Sequence, residues 1–539
     1  MRKINTQWVV VGLCAAMFGC NGTTSVNTII NQTVNQTTAE VRETVVTQKM
    51  NALRYDSAAL KKFLKDMPKG ADLHSHLSGA VSTEKLIEWG AADGACIDTI
   101  TWIAALPPCK TTQVTISNAL SDQTLYKNIL KAWSMDSFQG TLLEAHQHFF
   151  DAFGKFSAVQ LDSRTDDSIA DVLSIAGKNN QIYIELMQGL GASTVGALAA
   201  KYFQPTDAWT EAVLLEKRQQ IIADPLFKQT LDKNAANLKS WIEGARKLLN
   251  CGNINPDEGC NVDVRFLVSA NRTKDRASVF AQWVYGYEFT QLSPLVVGVE
   301  LVSPEEDANS LKYYTDEMFA LDVLRRFNQA DTTRRPVRIS LHAGELIPEV
   351  LPNTPEGQAH LKYHIRQAVE IAHAERIGHA VDILQEDQPL DLMKTMREKN
   401  VMAEICLTSN MTLLGKEGSA HPVNNYLENQ VPAALATDDE GILRGDITDE
   451  YVRAVTKQGL DYPTLKKMVR TSLEHSFLTG SSLWKTSNQF NQFVDACAND
   501  DTSNSQPSDL CKDFLSKNER AAMQWKLETQ LTTFEKAQF

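Results

Sequence analysis

Two histidines one residue apart, His74 and His76, close a short apolar run in "MPKGADLHSHLSGAV" (residues 67–81), in a chain with eleven histidines altogether. In a strand, side chains i and i+2 point to one face. Both imidazoles would then face the same way, the beginning of a metal site. The chain carries its own control. His146 and His148 have the same spacing inside "LLEAHQHFFDAFGKF", where Phe149, Phe153 and Phe156 mark one face of a helix. On a helix, i and i+2 lie on roughly opposite sides, so that pair cannot chelate. Other strand-like runs end in related chemistry: His342-Ala343-Gly344-Glu345, Gly378-His379 and Thr437-Asp438-Asp439. Imidazoles and carboxylates at several strand ends are groups that hold metals and move protons.

The elements that must position these groups are eight short β-type runs, at 71–77, 181–187, 262–268, 295–301, 337–343, 375–381, 401–407 and 433–439. Several are nearly continuous apolar stretches, as in strands covered on both faces. Segments with the 3.6-residue period lie between them, such as "DEMFALDVLRRFNQA" and "HLKYHIRQAVEIAHA". The pattern predicts an α/β fold, a (β/α)8 TIM barrel, whose active site sits at the C-terminal ends of the strands. A doubly wound open sheet is the alternative, and no Gly-rich phosphate loop follows the first strand to favour it. The long gap after the first strand predicts a helical insertion at about 78–180. The barrel domain is expected over 46–480, with a helical C-terminal extension over 481–539.

Five stretches, "PKGADLHSHLSGA", "SLHAGE", "RIGHAV", "EICLTSN" and "ATDDE", resemble in order the motifs of the adenosine/AMP deaminase family of metal-dependent hydrolases. "HFFDAFGKF" resembles a segment of its extracellular, growth-factor-type branch. The resemblance implies one zinc ion per chain held by His74, His76, His342 and Asp438. Relatives with two metals carry a lysine on the fourth strand, where this chain reads "VGVELVS". It further implies that Glu345 protonates purine N1, that His379 orients the attacking hydroxide, and that Asp439 bonds the hydroxide or purine N7. The reaction implied is adenosine plus water to inosine plus ammonia. This chain departs from the family at Ser78, where Asp often contacts the ribose, and at Ser303, where Gly is common. It departs again at Leu407 and Glu440. Ser78 and Ser303 are the expected substrate contacts. These departures keep open a zinc hydrolase acting on another aminopurine or an N6-substituted nucleoside. A non-catalytic nucleoside-binding lipoprotein is the third reading, and the proton-handling residues count against it. Glu300 is read as a buried carboxylate behind the ligands. His360, His364 and His373 read as surface or packing residues, as do His421 and His475, although His421 could line the pocket.

Residues 1–20 carry a short basic start and an apolar run that ends in Met17-Phe18-Gly19-Cys20, resembling a lipoprotein signal with lipid on Cys20. Asn21 resembles an outer-membrane sorting signal. Residues 21–45 are rich in Asn, Thr and Gln and are expected to be a flexible tether. Three close cysteine pairs, Cys96 with Cys109, Cys251 with Cys260 and Cys497 with Cys511, suit disulfides in an oxidising compartment, with Cys406 free. The protein is therefore expected to be exported and lipid-anchored, facing the periplasm or the cell surface. The formal net charge of −13 argues against nucleic acid as a partner. The expected partners are a small purine nucleoside, a membrane reached only through the lipid, and a second copy of the chain in a homodimer.

Overall fold

The computed structural model describes residues 39–503 and 506–538. The signal segment, Cys20 and the tether up to residue 38 lie outside the described residues. Eight strands form one parallel sheet in chain order: β1 (Gly70–His76), β2 (Gln181–Gln188), β3 (Asp263–Asn271), β4 (Val296–Val302), β5 (Arg338–Ala343), β6 (Arg376–His379), β7 (Met402–Ile405) and β8 (Ala433–Leu435). Each coincides with one of the eight runs read from the sequence. The sheet curls back on itself beyond β8. Ser75 bridges Asp438, the His76 N–H donates to the Asp438 carbonyl at 3.0 Å, and the Asp438 N–H donates to the His74 carbonyl at 2.9 Å. Asp72 tightens this seam by accepting the Thr437 hydroxyl at 2.7 Å. The result is a nearly closed barrel with its helices outside.

The barrel interior is not wholly apolar. Arg376 has no exposed surface and pairs with Glu185 and Glu404, each at 2.7 Å. Such charges persist inside only when they are paired. At the closest approach of strands, an ideal Cβ on Gly378 would lie 2.5 Å from the His74 ring. The glycine of "RIGHAV" lets that ring sit against β6.

The insertion after β1 carries helices at Thr83–Ala92, Gln123–Trp133, Leu142–Phe156 and Thr165–Lys178. It also holds a small antiparallel sheet of Cys96–Asp98, Ala104–Ala105 and Gln113–Thr115, tied by the Cys96–Cys109 disulfide. That sheet corrects the helical reading of the insertion, since strands of two and three residues are too short to show alternation. A second insertion follows β2, with helices at Glu211–Ala223 and Pro225–Leu248. Helix Leu142–Phe156 is set by a capping box between Thr141 and Glu144, and it buries Ala145, Phe149, Ala152 and Phe156 along one face. At the N-terminal side the chain is already helical over 39–53, so the tether expected up to residue 45 is shorter. Val46 and Met50 of that helix are fully buried, which pins it to the core.

The C-terminal extension is helical at Asp509–Lys517 and Glu519–Ala537. Leu483, Cys497, Cys511, Ala521 and Trp525 form its own small core. Met523, Leu527, Leu531 and Phe534 join the main one. Disulfides Cys96–Cys109, Cys251–Cys260 and Cys497–Cys511 are present, and Cys406 is free and buried.

Candidate active site

Four side chains from β1, β5 and the loop after β8 converge at the C-terminal mouth of the barrel. One ligand atom from each of His74, His76, His342 and Asp438 lies within 4.8 Å of the others. His76 Nε2 is 3.1 Å from His342 Nε2, and Asp438 Oδ1 is 3.3 Å from His76 Nε2 and 3.6 Å from His74 Nε2. The far nitrogens of two rings are already taken. His74 Nδ1 meets Glu404 at 2.6 Å, and His342 Nδ1 meets Glu300 at 3.0 Å. A carboxylate behind an imidazole fixes the tautomer and aims the other nitrogen inward. His74 Nε2 is buried without a hydrogen-bond partner, so it points at a site that calls for an electrophile. Three imidazole nitrogens and one carboxylate oxygen are a donor set that fits zinc.

The electrostatics fit a cation at the same point. Burial opposes ionisation of Asp438, but the imidazoles of His74 and His76 beside it outweigh it and hold the carboxyl well below the usual range. Burial disfavours a charged His74 as well, yet Asp438 and Glu404 together raise it well above 6.5. His342 is pushed well below 6.5 by burial and then by the neighbouring imidazoles. Cys406 comes within reach of His74 and His379, but burial raises its thiol well above 9, which keeps it protonated.

A cavity of about 430 Å³ opens over the cluster. One wall is Phe149, Phe150 and Phe153 of the helix Leu142–Phe156. Ser78, Asn271, Thr273 and Ser303 also line it, with Glu345, His379 and Asp439 around the metal-binding atoms. His146 and His148 of the same helix diverge: His146 faces Glu306 at 3.4 Å, and His148 Nε2 donates to the carbonyls of Lys131 and Ser134 at 3.0 Å.

Glu345 reaches to 3.6 Å from His379 Nε2. Burial, and then the Asp438 charge, raise its carboxyl well above 4.5, which favours the protonated form. Asp439 is raised in the same way, by burial and then by Asp438. Burial lowers His379 to about 3. Its tautomer is set from outside the cavity. The Val423 N–H donates to His421 Nδ1 at 3.2 Å, leaving the proton of His421 on Nε2, which meets Asn410 Oδ1 at 3.0 Å. The Asn410 amide nitrogen therefore faces His379 Nδ1, at 2.9 Å, and donates to it. His379 is left with its proton on Nε2, aimed at the site. His421 thus acts through Asn410 and does not line the cavity.

The mouth also carries backbone strain. Ser303, His379, Ala380 and Asp438 all have left-handed φ, at 84, 63, 51 and 64°. Such conformations cost on the order of 1–3 kcal/mol each and persist where surrounding structure enforces them. Glu404 and Asn410 were not singled out in the sequence. A lone acid inside the apolar strand "VMAEICL" was the available signal, because a buried carboxylate must be paired.

Residues 246–485 match a sequence model of the family described as adenosine deaminase. Over this stretch, less than half of the chain, the sequence is similar to that family. The matched region holds His342, Glu345, His379, Asp438 and Asp439, while His74 and His76 precede it. The chain is 28% identical over 155 residues to an adenosine deaminase of Plasmodium vivax, which is 29% of this chain and 39% of that one. It is 30% identical over 188 residues to an adenosine deaminase of Escherichia coli, 32% of this chain and 51% of the other. The chain thus spans about half the length, or less, of these curated relatives. Among solved structures it is similar to an adenine deaminase from Arthrobacter aurescens, with TM-score 0.48 and 16% identity over 76% of this chain and 94% of that one. It is also similar to an Arabidopsis N6-mAMP deaminase, with TM-score 0.46 and 18% identity over 78% and 96%.

Proposed function

We propose that this chain catalyses hydrolytic deamination of an aminopurine, taken as the free base or a nucleoside and including N6-substituted forms. Adenosine is one member of that class. The observation that carries the reading is the buried carboxyl of Glu345, its proton affinity raised by burial, beside a three-imidazole, one-carboxylate donor set in a single cavity. Neither feature serves simple binding. Together they suit addition of water to an electron-poor ring carbon. The cavity lining holds aromatic, uncharged polar, imidazole and acidic side chains but, among the described residues, no Lys or Arg. This supports a flat, phosphate-free substrate, since a phosphate calls for cationic or N–H-rich partners.

His74, His76, His342 and Asp438 would hold one divalent ion, zinc by their chemistry. When bound, such an ion supplies Lewis-acid activation of water at neutral pH. The phenylalanine wall holds the purine face and excludes bulk water. Glu345 gives its proton to ring N1, which makes C6 open to attack. His379, with its proton on Nε2, donates to the attacking oxygen and orients it. Asp439, whose carboxyl is raised by burial and by Asp438, hydrogen-bonds the attacking oxygen or purine N7. Water adds at C6 and gives its proton to the Glu345 carboxylate left by protonation of N1; that proton passes to the exocyclic nitrogen, the C6–N bond breaks, and ammonia or an alkylamine leaves with a 6-oxopurine as product.

The test is incubation of purified protein with adenosine, N6-methyladenosine, adenine and adenosine 5′-phosphate, following amine release and the change in purine absorbance. At least one phosphate-free aminopurine should be converted, and the 5′-phosphate should be the poorest substrate. Release of no amine from any of them ends the proposal. We also propose that the protein is exported and anchored through lipid on Cys20. Three disulfide-bonded cysteine pairs support this. Mass spectrometry of the N-terminal peptide from a membrane fraction is its check.

A further inference from the structure

Outside the residues that line the cavity, three charged or titratable side chains with no exposed surface meet: Arg272, Glu305 and His364. The sequence reads His364 as a surface or packing residue; it is packed in the interior against Tyr314, and it also bonds Glu305. Arg272 directly follows β3, Glu305 lies in the loop after β4, and His364 opens the helix His364–Glu370. All three converge on the turn that leaves β5.

Glu305 spends its two oxygens on successive peptide groups of that turn. Oε1 accepts the Gly344 N–H at 3.1 Å, and Oε2 accepts the Glu345 N–H at 2.9 Å. His364 Nδ1 donates to Oε1 at 2.6 Å, and Arg272 Nη1 lies 3.7 Å from Oε2. Arg272 also donates to the carbonyls of Ser303 at 2.7 Å and His342 at 3.3 Å, which ties the ends of β4 and β5 together. His364 is itself fixed. The Tyr314 ring stacks flat on it, 3.6 Å away and 3° from parallel, and the Tyr314 hydroxyl donates to its carbonyl at 2.8 Å. Burial disfavours charge on Glu305, but the surrounding donors outweigh it and lower the carboxyl to about 2. An anion is therefore built in at this point.

The turn being held is unusual. Gly344 has φ +77°, and a Cβ there would lie 2.4 Å from Asp382 Oδ1. Its shape is thus dictated by neighbours that never touch the cavity. Two consecutive buried N–H groups need an acceptor, and leaving either unmade costs about 1–3 kcal/mol. A carboxylate answers both at once. The residue delivered by this turn is Glu345.

We propose that Glu305, backed by His364 and Arg272, is the positioning residue for Glu345: it clamps the peptide that carries the proton donor without touching substrate. This rests on the reading of Glu345 as the proton donor given above. A displacement of about 1 Å at a reacting group costs on the order of 100-fold in rate, so loosening this clamp acts on turnover more than on substrate binding.

Three variants test it: Glu305→Gln, His364→Phe and His364→Asn. Gln can accept only one of the two N–H groups through its oxygen. Phe keeps the stack on Tyr314 but removes the donor to Glu305, and Asn can restore that donor. Each is measured for metal content, for kcat and KM on the best substrate of the panel, and for amide exchange of the peptide spanning residues 343–347. Glu305→Gln and His364→Phe should exchange faster there, keep their metal, and lose kcat by about 10- to 100-fold with KM changed less than about threefold. His364→Asn should recover both exchange protection and kcat. If Glu305→Gln does not fold, the two His364 variants decide. Unchanged kcat despite faster exchange, or lost kcat with unchanged exchange, overturns the positioning role. So does loss of metal and activity together with no recovery in His364→Asn. Wild-type protein that converts none of the purines while the exchange differences hold would sink the deaminase reading and leave the clamp standing.

Discussion

Glu345→Gln separates chemistry from metal binding, because the structure offers a rival set of ligands. Glu345, His379 and Asp438 also bring ligand atoms within 4.8 Å of one another. If the ion sits with His74, His76, His342 and Asp438, Glu345 is free to act as an acid and its amide should keep the metal. If the ion sits with the rival set, the amide should lose it. Burial and the Asp438 charge raise the native carboxyl well above 4.5. Glutamine is a neutral group of the same shape, and the stability change should stay within about 1 kcal/mol. What is lost is the proton for N1. The expected fall in kcat is ~10²–10⁴-fold, equivalent to about 3–5 kcal/mol of barrier. The assay is parallel measurement of metal per chain, melting temperature and kcat for wild type, Glu345→Gln and His342→Ala. Glu345→Gln should be metal-replete and nearly inactive, and His342→Ala metal-poor. An active but metal-poor Glu345→Gln would refute the reasoning, since it makes Glu345 a ligand and not a donor.

Three further outcomes follow from the same geometry. Glu317 is fully buried, both its oxygens lack partners, and burial raises it to about 8. Its folded pKa lies above the unfolded value, so its contribution is complete below about pH 4.5 and is lost as pH rises towards 8, at up to about 1.4 kcal/mol per pH unit. Urea denaturation from pH 5 to 8 should show stability falling with pH, and Glu317→Gln should flatten that slope; equal slopes would contradict the assignment. Asn410→Leu removes the donor that sets the His379 tautomer, and turnover should drop about 100-fold with metal retained. Full activity in that variant would remove the chain from His421 to His379 from the mechanism. Non-reducing peptide mapping should recover Cys96–Cys109, Cys251–Cys260 and Cys497–Cys511, and Cys406 should react only after unfolding; each closed loop contributes about 3 kcal/mol by chain entropy.

The strands were legible because several are nearly continuous apolar runs, and the period of two placed His74 and His76 on one face. The residues at the strand ends, Glu345, His379, Asp438 and Asp439, were legible for the same reason: a barrel brings every such end to one mouth. What the sequence withheld depends on contacts between distant segments. Nothing local in "HLKYHIRQ" says that His364 lies under the β5 turn, because that follows from how the helix packs against the loop after β4. Glu404 was visible as an acid in an apolar strand, but its partner, His74, is 330 residues away. His421 read as a surface or packing residue that could line the pocket, because nothing local shows that Asn410, on the helix Leu407–Leu414, lies between it and His379. The small sheet near Cys96 escaped because its strands are shorter than any readable period.

The most direct measurement of the central claim is anomalous scattering at the zinc edge from crystals of the metal-loaded protein. One peak per chain should lie about 2.0–2.2 Å from a nitrogen of each of His74, His76 and His342 and from an Asp438 carboxylate oxygen. A peak held instead by Glu345 and His379, a second peak beside the first, or none in protein that converts purines would contradict the account.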